Sequence, residues 1–406
     1  MSPPDASPKR FIGLDIHKFY LIATGVDQDL NLIYGPRRIE LTALERWMAS
    51  DLTPQDEVVI EMTTNTWQIY DDLLPHVLSI TVVHPPQISL ITRAQVMNDK
   101  IAALTLARLL AKGLLVGIWV PPKEVRDVRA LIAQRSKLTR LATQAKNRLH
   151  AILHRHHLLP PPGDPFLPAQ RSWWAGLPLS PAERATLLCD WDTLAFAQAQ
   201  VAQLEASLAD LAALDERIPL LIQLPGVSLI TALTLLAAIG PIQRFPSAKH
   251  LAGYAGFGVR LHDSGLTTRS GRITKAGRKD IRSVMVEAAQ TAANTHPHWK
   301  AVLAHLEPRL GSNKAIVAIA RKLLVAVWHV LSHQAADRNA DPVRVARKLF
   351  QHAYRLGKHN RSSDLSTAAY VRTQLDRLGL GADLQSIPWG QKKKPIPLPP
   401  STLVAS

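Results

Sequence analysis

The segment Phe11-Ile12-Gly13-Leu14-Asp15-Ile16 decides the fold of the first part of the chain. Apolar residues dominate it, and only one glycine and one acid interrupt them, which is typical of a buried β-strand. The stretches 21–26 and 30–34 predict two more strands, because the turn-forming Asp27-Gln28-Asp29 separates them. The chain therefore opens with three strands in succession.

Helical and strand patterns alternate after these three strands. Residues 44–48 and 68–74 have helical spacing, and residues 58–61 and 80–83 have the composition of buried strands. An apolar helix is predicted to follow Asp99. This succession predicts an α/β layer built on a mixed sheet.

Apolar residues recur every seven positions in two later stretches. They are Leu131, Leu138, Ala145 and Ile152 in the first, and Leu187, Leu194, Val201 and Leu208 in the second. Sustained heptads predict two long helices that pair as a coiled coil or pack in a bundle. From Leu220 onward, short helices joined by glycine turns predict a mostly helical region, which includes an apolar helix over residues 315–331.

Composition shifts divide the chain into four predicted regions. Pro121-Pro122 marks the first boundary, so the α/β domain covers residues 1–120 and the coiled-coil region residues 121–217. A helical domain follows at residues 218–335. Residues 336–406 form a basic extension, and the lysines and prolines of residues 391–400 predict an extended or disordered tail.

The charge of the chain indicates a polyanionic partner. It has 48 Lys and Arg against 32 Asp and Glu, a net charge of +16, which favours nucleic acid over a membrane. We expect no transmembrane helix and no signal peptide, since no apolar run approaches the length of a membrane span and residues 1–10 lack the hydrophobic core of a signal peptide. With Cys189 the single cysteine, no internal disulfide can form. These features predict a cytoplasmic protein.

Cations cluster in two places that could contact phosphates. Residues 134–159 are almost free of acids, and a run from residue 269 to 282 follows Ser264-Gly265, a small hydroxyl beside a glycine. The predicted nucleic-acid ligands are Lys18, Arg135, Arg140, Arg148, Arg269, Arg272, Lys275 and Arg278. A solvated coiled-coil face and an ordinary Ser-Gly turn are the alternatives.

Three acids stand at the ends of predicted elements. Asp15 is on the first strand, Glu61 ends the fourth, and Asp99 begins a helix. Hard oxygen ligands from separate elements suit Mg²⁺ or Mn²⁺, while each acid alone could equally be a helix cap or a surface charge. His17 and Lys18 could neutralise a phosphate near such a site. His150 and His154, four apart on a helix, have a zinc-like spacing without a third ligand, so we favour phosphate contact for them.

Several motifs in a fixed order resemble the bridge-RNA-guided insertion-sequence transposases. The residues that carry the resemblance are Gly13 to Lys18, Glu61 to Thr64, Asn98 to Ile101, Leu224 to Val227, Ser264-Gly265 and Gly271 to Lys275. The resemblance covers roughly residues 10 to 335. It implies an RNase H-like (RuvC-like) DEDD domain, a coiled-coil insertion and a C-terminal serine transposase domain.

The resemblance also implies residue roles. Asp15, Glu61 and Asp99 become metal ligands, and Ser264 becomes the nucleophile that forms a covalent phosphoserine with DNA. The family's fourth acid falls three residues after Asp99, where this chain has Ala102. Either this copy is naturally impaired or it is an inactivated variant, and we favour the second.

The leading interpretation is therefore a DNA transposase or recombinase with Mg²⁺ or Mn²⁺ as cofactor. The implied partners are target and donor double-stranded DNA, a noncoding bridge RNA and further copies of the chain, which would form a dimer or tetramer. No membrane partner is expected. The implied location is the bacterial cytoplasm, in association with the nucleoid. Two alternatives remain: a metal-only junction nuclease in which water attacks, and a decayed nucleic-acid-binding scaffold.

Overall fold

The computed structural model describes residues 9–85, 98–213, 215–264, 267–356, 365–389 and 394–405. The chain forms two compact units, Met1–Pro121 and Pro122–Ser406.

A five-stranded mixed sheet forms the frame of the N-terminal unit. Its strands are β1 (Phe11–Ile16), β2 (Tyr20–Val26), β3 (Leu32–Glu40), β4 (Glu57–Glu61) and β5 (Ser79–Val83), in the order β3-β2-β1-β4-β5. β1, β2 and β3 are antiparallel neighbours, whereas β4 runs parallel to β1 and β5 parallel to β4. The predicted mixed sheet is confirmed. β3 begins two residues later than predicted and runs six residues further, since Leu30 has a positive φ and belongs to the turn.

Within the described residues of this unit, three helices accompany the sheet: α1 (Leu44–Asp51), α2 (Thr66–Leu73) and α3 (Asp99–Ala111). α3 packs directly on β1 at Gly13, where a Cβ atom would lie 2.1 Å from the carbonyl oxygen of Ala103 and 2.6 Å from the amide nitrogen of Ala107. Only glycine allows this approach. The close packing fixes the start of α3 relative to the end of β1.

Two 33-residue helices open the C-terminal unit and pack along each other. They are α4 (Lys123–Arg155) and α6 (Pro181–Ala213), and the short α5 (Arg171–Ala175) lies on the connection. The predicted pair of long helices is confirmed. Leu138, Ala145 and Ile152 are buried on α4, and Leu187, Leu194 and Leu208 are buried on α6. Heptad positions on both helices thus face the packed side.

A helical core and one hairpin follow. The helices are α7 (Arg217–Ile222), α8 (Leu229–Ile239), α9 (Ala248–Tyr254), α10 (Lys279–Thr295), α11 (Pro297–Leu310) and α12 (Ser312–His333). β6 (Val259–Ser264) and β7 (Thr267–Ile273) pair antiparallel. We predicted only helices and glycine turns here, so the hairpin corrects that expectation. Charged and hydroxyl residues of 259–273 hide the strand alternation in the sequence.

α12 also corrects the expectation that no segment is long and apolar enough to cross a membrane. By length and composition it meets that description, although Arg321 and Lys322 interrupt it. One face of α12 packs into the core of the unit, where Ile319, Leu323 and Val327 are fully buried. A core helix of this kind passes the same test as a membrane span.

The predicted basic extension is folded over most of its described length. α13 (Pro342–Leu356) and α14 (Thr367–Arg377) bury apolar faces in the same core, and β8 (Ser386–Ile387) pairs with β9 (Ile396–Pro397). The buried Arg372 donates to the carbonyl oxygens of Pro399 and Gly381 at 2.9 Å each. Residues 394–405 are therefore held by main-chain contacts, which fits the extended one of the two alternatives, an extended or a disordered tail, that the prolines predicted. Residues 391–393 lie outside the described residues.

Candidate metal centre

Two elements and the loop between strands bring polar side chains together in the N-terminal unit. Asp15 is the fifth residue of β1, and His17 lies just past the end of that strand. Asp99 is the first residue of α3, because the Asn98 side chain caps the helix by accepting from the amide of Ile101 at 2.9 Å. The Gly13 contact holds the two elements close enough for these side chains to meet.

The oxygen and nitrogen atoms of this cluster lie within one coordination sphere. One potential ligand atom from each of Asp15, His17 and Asp99 lies within 4.8 Å of the others. His17 Nε2 is 3.4 Å from Asp15 Oδ2 and 3.2 Å from Asp99 Oδ2. Tyr20 fixes the second carboxylate, since its hydroxyl donates to Asp99 Oδ2 at 3.0 Å. We call Asp15, His17 and Asp99 the acid cluster.

His17 is held in place by its ring rather than by hydrogen bonds at Nε2. The ring stacks on Tyr20, with centroids 4.6 Å apart, and the Arg38 guanidinium covers the Tyr20 ring at 3.7 Å. Nε2 is buried, yet among the described residues no group gives it a hydrogen bond of good geometry, despite the short distances to the carboxylates. Nε2 therefore lies near two carboxylates without a well-aligned hydrogen bond, so it could ligate a cation that the carboxylates attract.

Burial and like charge raise the pKa of two acids here. Desolvation raises the pKa of Asp15 most, the neighbouring Asp99 raises it further, and His17 opposes both. Desolvation also raises the pKa of Glu61, followed by the charge of Asp15. Glu61 is the last residue of β4, next to β1, and the charge of Asp15 acts on its carboxyl group. It is not among the residues whose ligand atoms lie within 4.8 Å of one another, which are Asp15, His17 and Asp99. Its role as a ligand stays a prediction.

Position 102 lies one turn along α3 from Asp99 and carries only a methyl group. The amide of Ala102 donates to the carbonyl oxygen of Asn98 at 2.8 Å, as the first turn of a helix requires. Residues three apart on a helix share a face. An acid at this position would share a helix face with Asp99, so the alanine leaves that face without a second carboxylate one turn from Asp99.

The acid cluster fits a small divalent cation. It offers carboxylate oxygens from separate elements and an orphaned imidazole nitrogen, a donor set suited to Mg²⁺ and, because of the nitrogen, still better to Mn²⁺. Asp15 and Asp99 would hold the ion. Sequence reasoning placed His17 near the centre only as a phosphate contact, not between the two acids, and it missed Tyr20. The one signal for Tyr20 was its position shortly after Asp15, at the start of the next strand.

Ser264 is the last residue of β6, and its backbone pairs with Thr267 across the hairpin. Gly265 and Leu266 lie outside the described residues, as do the side chains of residues 261–270. The predictions for the Ser264 hydroxyl and for Arg269 therefore rest on sequence.

The other predicted nucleic-acid ligands divide into two groups. Acidic partners engage three of them: Arg135 pairs with Glu205, Arg148 with Asp190 and Arg278 with Asp280, at 2.7, 2.6 and 3.0 Å. The other four, Lys18, Arg140, Arg272 and Lys275, have exposed side chains, as Arg148 does despite its pairing. Pairing across α4 and α6 gives Arg135 and Arg148 a role in holding the two helices together, which sequence alone did not indicate.

Comparison with known proteins assigns this architecture. Residues 12–158 match the DEDD transposase family of IS110 elements, and residues 218–304 match the transposase IS116/IS110/IS902 family. The transposase for insertion sequence element IS1111A of Coxiella burnetii is 24% identical over 342 residues, which cover 81% of this chain and 91% of that protein. A pilin gene-inverting protein of Moraxella bovis is 36% identical over 121 residues, 29% of this chain and 38% of that protein.

A mixed-sheet domain with an acid cluster, followed by a helical transposase domain, defines a DNA transposase or recombinase with a DEDD domain. The chain belongs to the IS110/IS116 family of insertion-sequence transposases. A DEDD domain indicates dependence on a divalent metal.

Proposed function

We propose that this protein is an RNA-guided recombinase that cuts and exchanges DNA strands through a phosphoserine intermediate, with help from a divalent metal. The observation that carries the proposal is the acid cluster, in which Asp15 and Asp99 converge around an orphaned histidine nitrogen. The strand order β3-β2-β1-β4-β5, with the cluster at the end of β1, is consistent with an RNase H-like domain. A relative named for gene inversion also supports exchange between defined DNA sites.

Ser264 is the proposed nucleophile. Its Oγ forms a bond to the DNA phosphorus while the bond from phosphorus to a deoxyribose oxygen breaks. The serine loses its proton and the leaving oxygen gains one, so the DNA keeps a free hydroxyl end and the phosphodiester is stored on the protein. A bound divalent ion would stabilise charge on the reacting oxygens, and Asp15, Asp99 and Glu61 are the proposed residues around it.

Ala102 sets the proposed state of this copy. With a methyl group in place of the fourth carboxylate, we expect weaker metal binding and slow strand cleavage, while fold and nucleic-acid binding persist. The substitution also favours the second candidate, a nucleic-acid-binding scaffold whose chemistry has decayed. Activity of the Ala102→Asp variant distinguishes an impaired recombinase from such a scaffold.

Trapping of covalent protein–DNA adducts tests the serine. In an Ala102→Asp background, Ser264→Ala should abolish the adducts and preserve DNA binding, because only one oxygen is lost. Ser270→Ala is the matched control and should retain them. Adducts that survive Ser264→Ala but vanish with Ser270→Ala would refute the assignment, and cleavage without adducts in both variants would establish the metal-only nuclease instead.

The proposed guide is a noncoding bridge RNA, and the proposed assembly is a homo-oligomer acting on target and donor DNA in the cytoplasm. The net charge of +16 supports the binding of these nucleic acids. Sequence-specific DNA binding should therefore require co-purified RNA. Specific binding that persists after nuclease has removed all RNA would contradict the guide.

A further inference from the structure

A cavity of about 430 Å³ lies in the C-terminal unit, between the turn that precedes α8 and the helix α13. Four cationic side chains line it: Arg344, Arg347, Lys348 and Arg355. Asp341 is the one acid among its described lining residues. No role described above uses this cavity, and α13 lies beyond the region that the family matches cover.

The start of α8 forms one wall. Ser228 caps this helix by accepting from the amide of Thr231, and the amides of Leu229 and Ile230 belong to the first turn, which has no acceptors within a helix. Gly226 is held at φ +75°, and a Cβ there would lie 2.0 Å from the carbonyl oxygen of Ala288. Packing against α10 therefore fixes the turn, and the positive end of the α8 dipole lies at the cavity.

Backbone carbonyls on the other elements hold the cations in place. Arg344 donates to the carbonyl oxygen of Thr295 at 2.7 Å, Arg347 to that of Pro388 at 2.7 Å, and Lys348 to that of Leu224 at 2.6 Å. These bonds use one donor of each side chain, and Arg344 Nε also donates to Asp341 Oδ2 at 3.2 Å. Since an arginine has five donors and a lysine three, further donors are available for an anion.

Two buried histidines complete the lining. His296 and His352 are 7% and 5% exposed, and Nδ1 of each has no hydrogen-bond partner within the described part of the chain. Burial lowers the pKa of His352 to about 4, and burial with the nearby Arg344 lowers that of His296. Burial likewise lowers the pKa of Lys348 to about 7. The cavity thus gathers donors whose protonated forms are destabilised in the absence of an anion.

We propose that this cavity binds a backbone phosphate of a polynucleotide strand. A helix N-terminus, several fixed cations and orphaned buried nitrogens together match the tetrahedral, multiply accepting phosphate group. The choice of a polynucleotide as its source rests on the proposed function. Residues 342–356 then form part of the grip on DNA or RNA, independent of the acid cluster.

Binding measured without metal tests this site separately from catalysis. In EDTA, fluorescence anisotropy of a 30-base-pair DNA duplex and of a 30-nucleotide RNA is followed across a salt series for Arg355→Gln and Lys348→Met. Lys300→Gln, an exposed cation on α11, is the matched control. Loss of one phosphate contact should weaken binding several-fold and reduce the salt slope by about 1.

The pattern of loss identifies the strand. A weaker affinity for DNA alone, for RNA alone or for both supports the site and assigns its source. Amide exchange of the unaltered chain gives a second reading, in which added nucleic acid should protect residues 342–356. Affinities equal to the Lys300→Gln control on both strands, with unchanged exchange, would overturn the proposal. Failure of adduct trapping would leave this result unaffected.

Discussion

The acid cluster and the cationic cavity each bring like charges together, negative charges in the acid cluster and positive charges in the cavity. In the first, the carboxylates of Asp15 and Asp99 meet around His17; in the second, Arg344, Lys348 and their neighbours surround a space of about 430 Å³. Burial shifts the pKa values against the charged forms in both, up for Asp15 and down for Lys348. Such clusters of like charge lower the free energy of unfolding of the ligand-free protein, and binding of an ion of opposite charge raises it again.

We infer that each region is suited to bind a ligand of the opposite charge. A divalent cation suits the first region and a phosphate the second. Neutralising one member should therefore weaken ligand binding while it stabilises the ligand-free protein.

The largest effect is expected at Asp99. Asp99→Asn removes one of two converging carboxylates, so the affinity for Mn²⁺ should fall at least about tenfold. Calorimetric titration with Mn²⁺ measures it. Glu45→Gln, an exposed acid on α1, is the control and should bind as the parent chain does. Unchanged affinity in Asp99→Asn would remove the acid cluster as the metal site.

An intermediate effect is expected at Lys348. The folded pKa of about 7 lies below the value near 10.5 in the unfolded chain, so the unfolded state binds more protons between these values. Stability of the C-terminal unit should therefore rise as the pH increases from 7 to 9. Lys348→Met should flatten this rise, and scanning calorimetry at several pH values measures it. An equal slope in parent and variant would show that the amine is solvated.

The smallest effect is expected at Asp15. Because the folded pKa of Asp15 is raised, the folded state binds its proton more tightly than the unfolded state, and this contribution is lost as the pH rises through that value. At pH 7 and without metal, Asp15→Asn should raise Tm by roughly 1–3 °C. Excess Mn²⁺ should reverse the order of the two proteins. A lower Tm for the metal-free variant would indicate that Asp15 stabilises the fold itself.

Sequence periodicity predicted the elements whose burial pattern is regular. The sheet of the N-terminal unit and the helices α4 and α6 follow strand and heptad patterns. Asp15 and Asp99 were singled out because they stand near element ends, and the structure brings them together, while their role as ligands stays a prediction. The order of motifs along the chain supplied the family. Periodicity could not predict the distances between the Asp15, His17 and Asp99 side chains. These distances depend on the close packing of α3 on β1 at Gly13.

The C-terminal part shows where sequence reasoning failed. Lys and Pro residues predicted an extended or disordered tail and gave no sign of a tether, yet Arg372 is buried and donates to three carbonyl oxygens of residues 381–399. Composition gives the number of charges but does not indicate that the guanidinium of Arg372 is buried and donates to main-chain carbonyl oxygens. The cavity beside α13 was missed for the same reason, because its cations come from residues 342–356, which the sequence placed only in a basic extension.

The most direct test of the central claim is the Mg²⁺ affinity of Ala102→Asp. Restoring a carboxylate one turn from Asp99 should raise the affinity at least about tenfold and raise Mg²⁺-dependent strand exchange above that of the present chain. Thr105→Asp adds the same charge elsewhere on α3 and should do neither. If Ala102→Asp folds normally but matches the present chain in both affinity and strand exchange, the acid cluster is not the metal centre of this transposase.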